Sequence, residues 1–94
     1  EAVENGILVS WETATEVNNL GFNVYRAELV EGERVKLNPE LIMSKVGPGG
    51  MTGATYEFLD ETAAVGVTYY YWLEDVPLEA GVTPGIYGPI SAAR

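Results

Sequence analysis

The residues with the most obvious capacity for chemistry are two acidic pairs, Asp60–Glu61 and Glu74–Asp75. Adjacent carboxylates raise calcium binding and carboxylate catalysis. Calcium takes roughly six to eight oxygens converging on one loop, and the chain has no Asp-x-Asp-x-Asp-Gly spacing. A glycosidase needs two carboxylates facing each other across a cleft, for which a small domain has little room. Ser10, Ser44 and Ser91 have no histidine to activate them, so a serine nucleophile of the usual triad is excluded. The absence of cysteine as well removes disulfides, thiolate nucleophiles and Cys/His zinc sites. "GPGG" (Gly47 to Gly50) is rich in glycine but lacks the Lys-Ser/Thr and helix of a phosphate loop. It reads as a flexible loop. No catalytic, cofactor-binding or metal-binding residue is expected, and the chain reads as non-enzymatic.

What remains is aromatic. "VTYYYWLEDV" (67–76) sets Tyr69, Tyr70, Tyr71 and Trp72 in a row. A strand sends successive side chains to opposite faces. With Tyr69, Tyr71 and Leu73 facing inward, Tyr70, Trp72 and Glu74 face out. The run is then two core rings and two surface rings.

The elements that must carry these rings are all strands. "GILVSWET" (6–13) alternates Ile7, Val9 and Trp11 against Leu8, Ser10 and Glu12. "GFNVYRAEL" (21–29) places Phe22 and Val24 on one face, Asn23 and Tyr25 on the other. "ATYEFLDE" (54–61) alternates Tyr56 and Phe58 against Glu57 and Leu59. A short strand is expected at Val35–Leu37, another at Ala2–Val3, and an edge or irregular one in "PGIYGPISA" (84–92), where Gly and Pro interrupt the ladder. Single helical turns are expected at Thr13–Glu16, from the capping-box spacing, and after Asn38-Pro39, with Asn38 as N-cap. "LIM" (Leu41 to Met43) reads as loop packed over the core, with a sticky patch as the alternative. Turn residues recur every 8–15 positions and no segment has a helix-length period. Together these features predict a small two-sheet antiparallel β-sandwich of about seven strands.

The chain has 94 residues, one domain's worth, and 47% of them are hydrophobic, enough for a packed interior. It is read as one domain, 1–94, cut from a longer protein. The formal charge of −9 excludes nucleic acid as a partner, since phosphate binding needs cations. It also disfavours anionic membrane surfaces. No run approaches the ~20 apolar residues of a membrane span.

Three stretches together resemble a fibronectin type III domain of bacterial multidomain surface and secreted proteins. "ILVSWET" resembles its strand B, with Trp11 at the sandwich centre. "NNLGFNVYRA" resembles strand C. "VGVTYYYWLEDV" resembles strand F, with Tyr69 at the corner position whose hydroxyl bonds back to upstream backbone. The final "YGPISAA" resembles strand G. The family pattern has a large aliphatic residue and a Pro ahead of the corner where this chain has Ala63 and Val65, so Val65 is expected to supply the bulk.

The resemblance implies an immunoglobulin-like sandwich, extracellular or at the cell surface, that spaces domains or contacts protein or sugar. Trp11, Phe22, Val24, Phe58, Tyr69, Tyr71 and Leu73 would form its core. It also places strands C, F and G side by side, so Tyr25, Tyr70, Trp72 and Tyr87 would share one outer face. That face is the candidate binding site. Exposed apolar patches of this size mark contact surfaces, whereas cross-strand aromatic pairs can equally serve the sheet itself. The expected partners are neighbouring domains or another protein, with a carbohydrate- or peptide-stacking module as the alternative.

Overall fold

A computed structural model describes residues 1–16, 18–46 and 52–94; the "GPGG" loop expected at 47–50 lies outside them. The described chain is all-β, with no helix. Eight strands run in the order β1 (Ala2–Val3), β2 (Gly6–Glu12), β3 (Asn19–Ala27), β4 (Val35–Lys36), β5 (Ile42–Met43), β6 (Thr55–Asp60), β7 (Thr68–Pro77) and β8 (Gly85–Ala93). Three of the eight are only two residues long. One sheet has the order β1-β2-β6, the other β4-β3-β7-β8 with β5 also paired to β3, and every pairing is antiparallel.

The sandwich follows from the alternation. Ile7 and Val9 of β2 are buried against Val24 of β3 and Tyr69 and Tyr71 of β7, with Ala63 closing one end. Phe22 is also buried, while Trp11, Phe58 and Leu73 are partly buried around the cluster. Trp11 stacks on Tyr56, its register partner across β2–β6, with ring centroids 5.5 Å apart. Phe22 meets both rings edge-on. The aromatic group therefore joins the two sheets, not just two strands.

Two buried carboxylates pin the same interface. Asp60 of β6 accepts hydrogen bonds from the Tyr71 hydroxyl (2.6 Å), from Thr62 Oγ1 (2.7 Å) and N (3.1 Å), and from Arg26 Nη1 (3.0 and 3.2 Å). Tyr71 and Arg26 belong to the opposite sheet. Burial pushes the Asp60 carboxyl up, but the bonds from Tyr71, Thr62 and Arg26 and the guanidinium charge outweigh it. The net result lies below the usual carboxylate range.

Glu16, also buried, accepts from Tyr56, Ser44, Thr13 and Asn19. These donors likewise overcome the cost of burial and hold its carboxyl low. The Thr13–Glu16 pair is thus joined by its side chains, as capping-box spacing allows, but no helical turn forms there.

Asn38 also differs from its expected role. In place of an N-cap, its side chain is buried and mimics a strand partner. Its Oδ1 accepts from the Val24 N–H at 2.7 Å, and its Nδ2 donates to the Asn23 side chain and the Glu40 carbonyl. The "LIM" stretch is in part the strand β5, which pairs with Gly21 and Phe22.

Tyr69 accepts a hydrogen bond from the Ala64 N–H at 3.0 Å, and the Arg26 guanidinium lies 4.5 Å above its ring. Val65 does not supply bulk at this corner: it is 73% exposed, and the small Ala63 is the buried residue.

Candidate functional site

Tyr25, Tyr70 and Trp72 share the outer face of the larger sheet. Tyr25 is paired directly with Trp72, and Tyr70 with Ala27. These rings do not form an open platform. Trp72 is only 4% exposed, with the Arg34 guanidinium 4.0 Å from its ring centre. A cation over an indole face is attractive by roughly 0.5–1 kcal/mol at such sites. The Tyr25 hydroxyl donates to Glu74 Oε1 (3.1 Å), which also accepts from Asn23 Nδ2 (2.8 Å). Burial, with Glu74 beside it, pushes the Tyr25 phenol up. Tyr70 is half-buried.

Tyr87 is not among them. Uninterrupted alternation from Tyr71–Ile90 would have paired Tyr87 with Glu74 and turned it outward. A register shift intervenes: Tyr71 pairs with Ile90 but Leu73 pairs with Tyr87, so Gly88 and Pro89 together oppose Trp72. Two residues against one is a β-bulge, which re-aims the side chains on one side of it. Gly88 makes it sterically feasible. Its φ is +122°, and a Cβ there would lie 2.7 Å from the Tyr71 carbonyl oxygen. Tyr87 is thereby brought to the inner face, where its hydroxyl donates to Asp75 Oδ2 at 2.9 Å. That bond and the Asp75 charge raise its phenol pKa.

The inner face at β8 is a groove. The smaller sheet is narrower than the larger one, and β8 is an edge strand of the larger. Between β2 and β8 lies a cavity of about 190 Å³, walled chiefly by Val9, Trp11, Tyr71, Leu73, Tyr87 and Ile90. Trp11, Leu73 and Tyr87 also wall the adjoining depression of about 460 Å³, whose rim carries Glu12 and Asp75. Tyr87 and Ile90 remain 56% and 58% exposed although their register partners Leu73 and Tyr71 point to the core. The nine residues of β8 carry no charge, in a chain of net charge −9. A further depression of about 740 Å³ is lined by polar and apolar residues alike, Ser10, Glu12, Lys45 and Glu57 beside Trp11 and Ile42. The Lys45 ammonium there donates to the Thr55 carbonyl.

The acidic pairs are split. Asp60 is buried and Glu61 exposed. Glu74 serves Asn23 and Tyr25 on one face, while Asp75 accepts from Tyr87 and the Gly85 N–H on the other. Among the described residues no three Asp or Glu side chains are placed to hold a metal ion. Sequence reasoning missed the groove residue Ile90 and the buried Glu16. The charge-free run of β8 was the available signal for the first.

Compared with models of known protein families, with curated proteins and with solved structures, the chain matches none.

Proposed function

We propose that the chain is a non-catalytic, fibronectin type III-like sandwich module that spaces or docks domains in a larger bacterial surface or secreted protein. The observation carrying this reading is the uncharged edge strand β8, with Ile86, Tyr87 and Ile90 half or more exposed. Soluble β proteins usually guard such edges with charge, proline or a bulge. Here Pro89 and the bulge interrupt pairing, yet the apolar side chains stay uncovered. The order of the strands and the Tyr69 hydroxyl bonded to backbone five residues upstream accord with the family pattern. The two acids whose carboxyls are held low, Asp60 and Glu16, spend their oxygens on hydrogen bonds that hold the sheets together. Sugar stacking on the outer aromatic face has less support, because Trp72 lies under Arg34 and Tyr87 on the other side of the sheet.

Tyr87 is the most exposed of the six tyrosines, so nitration by tetranitromethane reports on this strand. A docking role predicts ready nitration of Tyr87 in the 94-residue chain and protection in the full-length secreted protein. Equal reactivity in both would sink the reading.

A further inference from the structure

We infer that the exposed turn joining β1 to β2 is a modification site, where Asn5 loses ammonia through attack by the Gly6 backbone nitrogen. The isoaspartyl product lengthens the turn and disturbs the β1–β2 register. Neither step rests on the docking role proposed above.

The structure singles out this asparagine among the five in the chain. Asn19 Nδ2 donates to Glu16, and Asn23 Nδ2 donates to Glu74. Asn38 is buried, with its amide donated to Asn23 and to the Glu40 carbonyl. Asn5 and Asn18 are exposed. Asn18 is followed by Asn19, whose side chain crowds the nitrogen that must attack. Asn5 is followed by Gly6, which leaves that nitrogen open to close approach. The fold holds glycine there, since a Cβ on Gly6 would run into the Asp60 carbonyl of β6.

The turn itself also favours release of that nitrogen. Leu8 exchanges both its backbone hydrogen bonds with Glu1, at 2.8 and 2.9 Å. Hydrogen-bonded pairs alternate along an antiparallel ladder, so Gly6 and Val3 form the next such pair and the Gly6 N–H closes the turn. Glu4 and Asn5 make up the two-residue loop between them, and neither has a positive φ. The two-residue loops whose twist matches their strands are the primed turns, which need positive φ; the others splay the strands. The bond holding the Gly6 nitrogen therefore adjoins a loop whose twist opposes the pairing.

The reaction needs only water. The Gly6 nitrogen gives up its proton and bonds to Asn5 Cγ. The Cγ–Nδ2 bond breaks, and the amide leaves with that proton as ammonia. Water then opens the cyclic imide. Attack at Cγ leaves aspartate, whereas attack at the Asn5 main-chain carbonyl leaves isoaspartate, in which the backbone gains one methylene. The extra carbon falls between Val3 and Gly6, whose pairing sets the hairpin. It also lies beside the Glu4 carbonyl, which accepts from Arg94 Nη2 at 2.8 Å.

Ageing the folded 94-residue chain in mildly alkaline buffer tests this, with peptide mapping by mass spectrometry and enzymatic methylation to score isoaspartate. Conversion at Asn5 should run roughly tenfold or more ahead of Asn18, because glycine alone leaves the attacking nitrogen uncrowded. Asn5→Gln should remove the signal from this turn. In the purified isoaspartyl product the Leu8 amide should lose protection from hydrogen exchange. Freshly prepared Asn5→Asp, which carries the charge without the added carbon, should keep it. Conversion at Asn5 no faster than at Asn18 would overturn the site. Leu8 protection that is unchanged in the isoaspartyl product, or lost equally in Asn5→Asp, would overturn its effect on the hairpin.

Discussion

Tyr71→Phe isolates the bond that fastens one sheet to the other through Asp60. The substitution removes a single hydroxyl from a side chain only 1% exposed and leaves the ring in place. What is lost is the 2.6 Å hydrogen bond to Asp60 Oδ2. A hydrogen bond to a charged group contributes roughly 1.5–3 kcal/mol, about twice a neutral one. Asp60 retains Arg26 and Thr62, so the lower half of that range applies, about 2 kcal/mol. For a domain of this size each kcal/mol moves the melting temperature by roughly 4–8 °C, giving a drop of about 8–16 °C at pH 7.

The pH dependence makes the test sharper. The folded-state pKa of Asp60 is lowered, so its ionisation favours the fold. That contribution is complete above the unfolded value of about 3.9 and disappears as pH falls through the folded value. The gap between parent and variant should therefore narrow as pH falls from 7 through the folded value, as a charged acceptor becomes a neutral one. Thermal melts followed by circular dichroism across that range measure it. A gap that is negligible at pH 7, or equally wide at both ends, would refute the account of Asp60 as a charged inter-sheet pin.

Further outcomes follow from the same contacts. Glu16→Gln turns an amide toward a site built from Tyr56, Ser44, Thr13 and Asn19 donors, and should cost about 2–3 kcal/mol in urea unfolding; an unchanged midpoint would show that these donors do not depend on the carboxylate. In a Trp11→Phe chain only Trp72 emits, and its emission should be blue-shifted and resistant to acrylamide. Adding Arg34→Ala should then make it quenchable, and red-shifted emission before that change would contradict the cover seen here. Gly88→Ala forces a side chain into φ +122° and onto the Tyr71 carbonyl, and should destabilise by about 1–3 kcal/mol or more. A neutral effect in chemical denaturation would mean that the bulge relaxes freely.

The sequence alone determined where the long strands lie and which face of most of them is apolar, though it read β5 (Ile42–Met43) as loop. Ile7, Val9, Phe22, Val24, Tyr69 and Tyr71 obey period-two alternation, a covalent consequence of strand geometry, and all are buried. The inter-sheet and side-chain contacts were decided only by the fold. Glu16 and Asn38 sit at positions whose local spacing fits helix caps. Their burial depends on donors and acceptors that arrive from strands up to 40 residues away. Trp72 keeps its expected direction but is buried, with its ring under Arg34, which no strand pattern connects to it. Tyr87 shows the limit most clearly. Alternation predicts its face only while the register is unbroken, and one bulge at Gly88 and Pro89 turns it from the outer face to the groove. Composition marked β8 as free of charge, and tertiary pairing decided which of its side chains line an open cavity.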